Sequence, residues 1–176
     1  MADGYRAATI RRIAKEVGVS STALYLHFPD KPAILREICE RSLRAVIDGY
    51  AAIAVQPIDP LVRMVQIGEF YIRWALEHPN AYRLVYIESR VGAEMWTQEN
   101  ADLSYQAFFI YLELVRELAA AGRLRSDEPD AVAQATWMAV HGVIAMLIAR
   151  PHFNWAEPNV LLAVLVQSLL EGMVKA

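Results

Sequence analysis

The chain is short of most things on which enzyme and secreted-protein chemistry depends. A single cysteine, Cys39, excludes an intramolecular disulfide framework and fits a reducing compartment. No Gly-rich phosphate loop, Gly-x-Ser-x-Gly turn, Cys-x-x-Cys or His-x-x-x-His occurs. The histidines, His27, His78, His141 and His152, fall on separate predicted elements, so metal-ligand spacing is absent and neither a metal nor another cofactor is expected. Glu69 and Glu113 could reach a pocket, but such carboxylates are more often surface charges, and no enzymatic activity is expected. Strand signals are missing, because no run alternates with period two between turn residues. Repeats and low-complexity tracts are missing too. No basic region leading into an apolar segment opens the chain, so no secretion signal is read there.

What is present is apolar. Of 176 residues, 56% are hydrophobic, a surplus that often marks an oligomer interface or an internal ligand cavity. The length suits one domain, or a small domain joined to a larger one, with a substantial core. A net charge of −3 argues against a nucleic-acid partner until it is divided. Residues 1–50 hold 8 Lys and Arg against 6 Asp and Glu; residues 51–176 hold 9 against 14. A small basic head on an acidic body suits a DNA reader with a separate sensing module. Ala131 to Ala149 carries no formal charge, and Val160 to Leu170 is strongly apolar. A membrane span needs about 20 apolar residues. The first run, however, contains Gln134, Thr136, His141 and Gly142, and the second is too short. Two helices at a dimer interface are the better account, with no membrane and a cytoplasmic location.

Helical punctuation runs the length of the chain. Asp30 and Pro32 start a long helix that ends near Ala54, and Asp59 can cap another over Leu61 to Glu77. His78-Pro79 stops that helix, and Asn80 to Val91 is predicted as a shorter one. Further helices are predicted over Thr97 to Ala121, stopped by Gly122, over Pro129 to Ala149, and over Glu157 to Val174.

The most specific stretch is Thr9 to Lys31. Ile10, Ile13, Ala14 and Val17 form one apolar stripe at helical spacing. Gly18 supplies a turn needing φ above zero, and Val19 suits a plug between two helices. Ser20 can cap a second helix that buries Leu24 and Phe28. This is the helix-turn-helix layout, whose second helix enters the DNA major groove.

The combination of Thr9, Ile13-Ala14, Gly18-Val19-Ser20, Leu24-Tyr25, His27-Phe28 and Lys31 resembles the DNA-binding domain of the tetracycline-repressor family of transcriptional regulators. Downstream, Trp137, His141 and Gly142 in TWMAVHGV are similar to the Trp-His-Gly signature of one class of C-terminal domain in that family. Between them, the likeness is confined to helical character and to HPNAYRLVY, His78 to Tyr86. The resemblance implies an all-α fold: a helix-turn-helix head over 1–48 and a ligand-binding and dimerisation body over 49–176. Family members carry a full helix before the Gly-Tyr-x-x-Thr segment, whereas only Met1-Ala2-Asp3 precede Gly4-Tyr5 here, so the head reads as N-terminally incomplete. Ile10, Ile13, Val17 and Leu35 are then expected to lack part of their cover. Either Met1 is an internal methionine of a longer protein, or the head is partly molten until it meets DNA or a partner.

The same resemblance implies site residues. Ser21, Thr22 and Ala23, with Leu26 and the capping Ser20, would face base edges, though Ser21 and Thr22 could equally be capping residues. Thr9, Arg11, Tyr25, His27 and Lys31 correspond to phosphate contacts. In the body, Trp74, Tyr86, Tyr105, Phe109, Trp137 and His141 are candidates for a pocket taking a small apolar or aromatic effector. The other reading of these rings is plain core, and of His141 a core histidine bonded to a backbone carbonyl. Ala135, Ala139, Gly142 and Ala145 give one helix a small-residue face. With Leu162, Leu165, Leu169 and Met173 they suit a two-fold homodimer interface, and hence a palindromic operator on double-stranded DNA. The expected function is a ligand-responsive repressor. The alternative is a homodimeric ligand- or protein-binding module that has lost DNA binding.

Overall fold

The computed structural model describes residues 9–87 and 98–175. Its elements are α1 (Ile10–Val17), α2 (Ser21–His27), α3 (Lys31–Ala54), α4 (Pro60–Glu77), α5 (Pro79–Tyr82), α6 (Gln98–Ala120), α7 (Pro129–Ala149) and α8 (Pro158–Met173). Among the described residues there is no strand, only an isolated antiparallel bridge between Leu124 and Val174.

Short-range hydrogen bonding sets the helix ends. Thr9 Oγ1 accepts from the Arg12 amide at 3.2 Å, Ser20 Oγ from Ala23 at 3.0 Å and Asp30 Oδ1 from Ala33 at 2.8 Å. Asp59 Oδ1 accepts from the Leu61 amide at 2.8 Å and starts α4. The stops at Gly18 and Gly122 carry φ of 75° and 70°, a conformation that costs glycine little and other residues more.

The predicted helix over Asn80–Val91 is not a regular α-helix where it is described, and 88–91 lie outside the described residues. One α-helical turn, α5, runs into a π-helical stretch over Arg83–Ile87. Tyr82, Leu84 and Val85 are all buried, although they point toward different neighbours. A widened turn lets Tyr82 face the body while Leu84 and Val85 pack on α3. Arg83 Nη2 donates to the Ile148 carbonyl at 2.5 Å and fixes this stretch to the end of α7.

Two clusters make the core. The larger joins the second half of α3 to α4, α6, α7 and the last turn of α8, with Val46, Ile67, Ala75, Leu118 and Ile144 at its centre. The smaller contains Leu35, Cys39, Leu43, Leu84, Val85 and Leu103 and lies where the first half of α3 leaves the body. Leu35 is therefore covered, contrary to expectation, because the π stretch and α6 reach it. Ile10 and Ile13 are half-buried, while Val17 is 61% exposed. Val19 is exposed as well and does not plug the turn; Leu24 and Phe28 are only half-buried.

Candidate functional site

The head presents α2 as a thin rod. None of its residues is fully buried, and Leu26 is 80% exposed. Ser20 supplies the N-cap, which leaves the half-buried Ser21 and the exposed Thr22 free of that duty. Their hydroxyls, with the methyl of Ala23, are thus placed at the leading end of α2, as an edge-reading role needs. Thr9 is already engaged as the cap of α1, so its oxygen accepts from Arg12 and only its proton remains for a phosphate. Arg11, Tyr25 and His27 are exposed, and Lys31 is half-buried at the start of α3. Helix α3 is continuous through residue 48, so the head connects to the body by one rigid rod of about 36 Å.

In the body, an open-mouthed cavity of about 60 Å³ lies between α3, α4, α6, α7 and α8. This is smaller than the usual small-molecule site, so a molecule seated in it also extends through the open mouth. Of the six predicted pocket residues, Trp137 lines it directly. His141 packs against Trp137 with ring centroids 4.0 Å apart, and Tyr86 against His141 at 4.8 Å, both one layer behind the wall. Trp74 stacks on Tyr71, itself a wall residue, at 6.1 Å. Tyr105 and Phe109 do not join this group. They stand on the outer arc of α6, 57% and 53% exposed, because Leu103, Ala107, Leu114 and Leu118 take its inward arc.

Sequence spacing missed Tyr50, Tyr71 and Tyr82, the residues that give the site its polarity. His141 Nδ1 lies 2.9 Å from the Tyr82 hydroxyl and Nε2 lies 3.2 Å from that of Tyr71. The ring is thus held by two side chains rather than by the backbone carbonyl expected for a core histidine. Tyr71 also interacts with the Tyr86 hydroxyl. A neutral imidazole has one N–H and one lone pair, so it can donate to one of these hydroxyls and accept from the other. Burial pushes its pKa down to about 4, and burial likewise pushes Tyr86 up to about 12. Nothing here is poised to exchange protons near neutral pH. Among the described residues, no group of three His, Cys, Asp or Glu could hold a metal. Glu69 is exposed, and Glu113 is paired with Arg116 at 2.9 Å.

Helices α7 and α8 leave an apolar surface uncovered. Helix α7 is long and apolar enough to cross a membrane by length and composition alone, with 22% of that window buried in the subunit. Ala135 and Gly142 are exposed on it, Ala139 and Ala145 half-buried, and Met138 and Met146 stand out beside them. On α8 only Met173 is fully buried, while Leu162, Leu165 and Leu169 are half-buried and Val160 and Val164 exposed. Met173 therefore belongs to the subunit core and cavity wall, where the bridge from Leu124 to Val174 pulls the helix end inward. Leu169 is also a wall residue.

A capped two-helix head, one connecting rod and a helical body around an apolar cavity define an all-α helix-turn-helix protein with a small head and a larger helical body. Residues 64–172 match the family model for the tetracyclin repressor-like C-terminal domain, and residues 1–38 that for bacterial regulatory proteins of the tetR family. The chain belongs to the tetracycline-repressor family. The nucleoid occlusion factor SlmA of Marinobacter nauticus is 27% identical over 118 residues, which cover 66% of this chain. The chain spans 58% of the length of that relative. A bacterial regulatory protein of the tetR family from Rhodococcus RHA1 has the same fold, with a TM-score of 0.80 at 22% identity over 99% of this chain and 90% of that one. So does the TetR-family transcriptional regulator PfmR from Thermus thermophilus, at 0.80 and 19% identity over 96% and 90%.

Proposed function

We propose that the chain is a cytoplasmic, homodimeric transcriptional regulator, a repressor released from a palindromic operator by a small apolar or aromatic effector. The observation that carries this reading is the pairing of an unburied, N-capped α2 with an apolar cavity on one continuous α3. Effector bound between α3, α4 and α7 favours one setting of that rod over another, and so one spacing of the two heads across successive major grooves. The exposed faces of α7 and α8 supply a two-fold surface for the second copy.

Binding to duplex DNA measured across a salt series tests the reading. Lys31→Ala should weaken binding to every sequence and lower the slope of log K against log salt by about 1. Tyr25→Ala should weaken binding uniformly, as expected of a group that positions rather than reads. Thr22→Ala should cost affinity on the operator alone. A wild-type chain that ignores duplex DNA at low ionic strength would leave the alternative, a homodimeric binding module without DNA affinity. The exposure of Val17 and Val19 in the head is the feature that favours that alternative.

A further inference from the structure

The cavity carries information beyond its size. None of its lining residues is charged, and the polar side-chain groups among them are the hydroxyls of Tyr50, Tyr71, Tyr111 and Thr136 and the indole N–H of Trp137. The protons on these groups can be followed one by one. Thr136 Oγ1 lies 2.8 Å from the Val132 carbonyl and 3.1 Å from that of Ala133, so its proton goes to the backbone. The Tyr111 hydroxyl, 2.8 Å from the same oxygen, then donates to it and offers a ligand only lone pairs. Tyr71 is engaged by His141. Tyr50 is different. It is 3% exposed, with its ring edge-on to Phe70 and Tyr71, and among the described residues its hydroxyl makes no hydrogen bond. Because Tyr50 lines the cavity, its hydroxyl can donate to whatever enters that space.

We infer that the cavity takes a neutral, largely apolar molecule bearing one hydroxyl or carbonyl group, whose oxygen accepts from Tyr50, and that it rejects carboxylates and amines. A hydroxyl ligand can also return its proton to the lone pairs of Tyr111. An ion entering this wall would give up its hydration and meet no counter-charge. His141, the ionisable base behind Tyr71, stays uncharged near neutral pH and supplies none. Burial raises the Tyr50 and Tyr71 pKa values well above the usual phenol range, which shows how poorly this region tolerates a negative charge. The inference rests on the cavity being the effector site proposed above.

The test compares decanol, decanamide, decanoate and decylammonium on the full chain near neutral pH, by thermal shift and titration calorimetry. Decanol and decanamide should bind at least about tenfold more tightly than either ion. Tyr50→Phe removes one oxygen and keeps the ring, and should weaken decanol about five- to tenfold. Gly68 lines the cavity, and a Cβ built there meets nothing within 4 Å, so Gly68→Leu starts its side chain in open space; a far-ultraviolet circular dichroism spectrum equal to wild type checks that the fold is kept. The substitution should abolish binding of all four compounds. Decanoate or decylammonium binding as tightly as decanol, and lost in Gly68→Leu, would overturn the selectivity while leaving the cavity as the effector site. Unchanged decanol affinity in Tyr50→Phe would overturn the Tyr50 contact. Failure of all four to bind, or binding that survives Gly68→Leu, would overturn the effector-site reading together with the inference.

Discussion

At the scale of single residues, surroundings decide what His141 is. Its ring is closed in by Tyr71, Tyr82, Tyr86 and Trp137, and desolvation lowers its pKa from the ordinary 6.5 to about 4. The unfolded chain therefore binds a proton more readily than the folded one between those two values, and stability falls as the pH drops through that window. On the order of 3 kcal/mol is lost by the bottom of the window, at ~1.4 kcal/mol per unit of pKa difference. Urea midpoints of wild type and His141→Asn, compared at pH values across it, give the measurement: the wild type should fall more steeply. Equal slopes would mean that the ring is not held neutral by burial. Trp137 and His141 were legible from their place in TWMAVHGV. Tyr71 and Tyr82 were not, because they meet His141 across 70 and 59 residues, and no spacing rule reaches that far. Tyr105 and Phe109 misled because an i,i+4 aromatic pair shows that two rings share a face, not which way that face is turned.

At the scale of elements, the joint between head and body depends on the small cluster under the first half of α3. Leu43 and Cys39 are each 1% exposed there, against Leu84, Val85 and Leu103. Leu43→Ala should destabilise the chain by about 2–5 kcal/mol, read from denaturant unfolding, since the cavity left behind has rigid helices on its sides. Burial also pushes the Cys39 thiol up to about 11, so it should resist alkylation in the native state and react only as the joint opens. A labelling rate equal to that of a free thiol would show the joint to be open. The starts and stops of α1 to α4 could be read from Thr9, Gly18, Ser20, Asp30 and Asp59, since a cap is a contact between residues two or three apart. The π stretch over Arg83–Ile87 could not. It arises from two separate demands on adjacent residues, Tyr82 toward α7 and Leu84-Val85 toward α3, and only the assembled fold imposes both.

At the scale of the whole molecule, the question is what covers α7 and α8. Their exposed apolar side chains include Met138, Met146, Val160 and Val164, too many in line for a monomer surface. On the proposed dimer, Val164→Asp places a charge where the second copy should pack, yet costs the subunit little because that side chain is 60% exposed. Sedimentation should find the wild type dimeric and Val164→Asp monomeric with its helical content intact. A variant that remains dimeric would move the interface elsewhere. The clamps within one subunit are unaffected by such a change. Arg63 bridges Glu117 at 2.8 Å and the Ala54 carbonyl at 2.7 Å, and Arg116 holds Asp130 at 2.8 Å, so α3, α4, α6 and α7 stay joined.

The amino-acid order by itself determined where α1 to α4 begin, that the described residues would form no sheet, and that a capped pair of short helices would precede α3. Each of those depends on hydrogen bonds and apolar spacing within a few residues. The tertiary structure alone decided that Leu35 is covered, that α6 turns Tyr105 and Phe109 outward, and that Met173 faces the core rather than a partner. It alone set a cavity lined by Tyr50, whose hydroxyl makes no hydrogen bond among the described residues, and by a committed Tyr111. A cavity is what remains when five helices fail to fill the space between them, and that remainder depends on every packing choice at once.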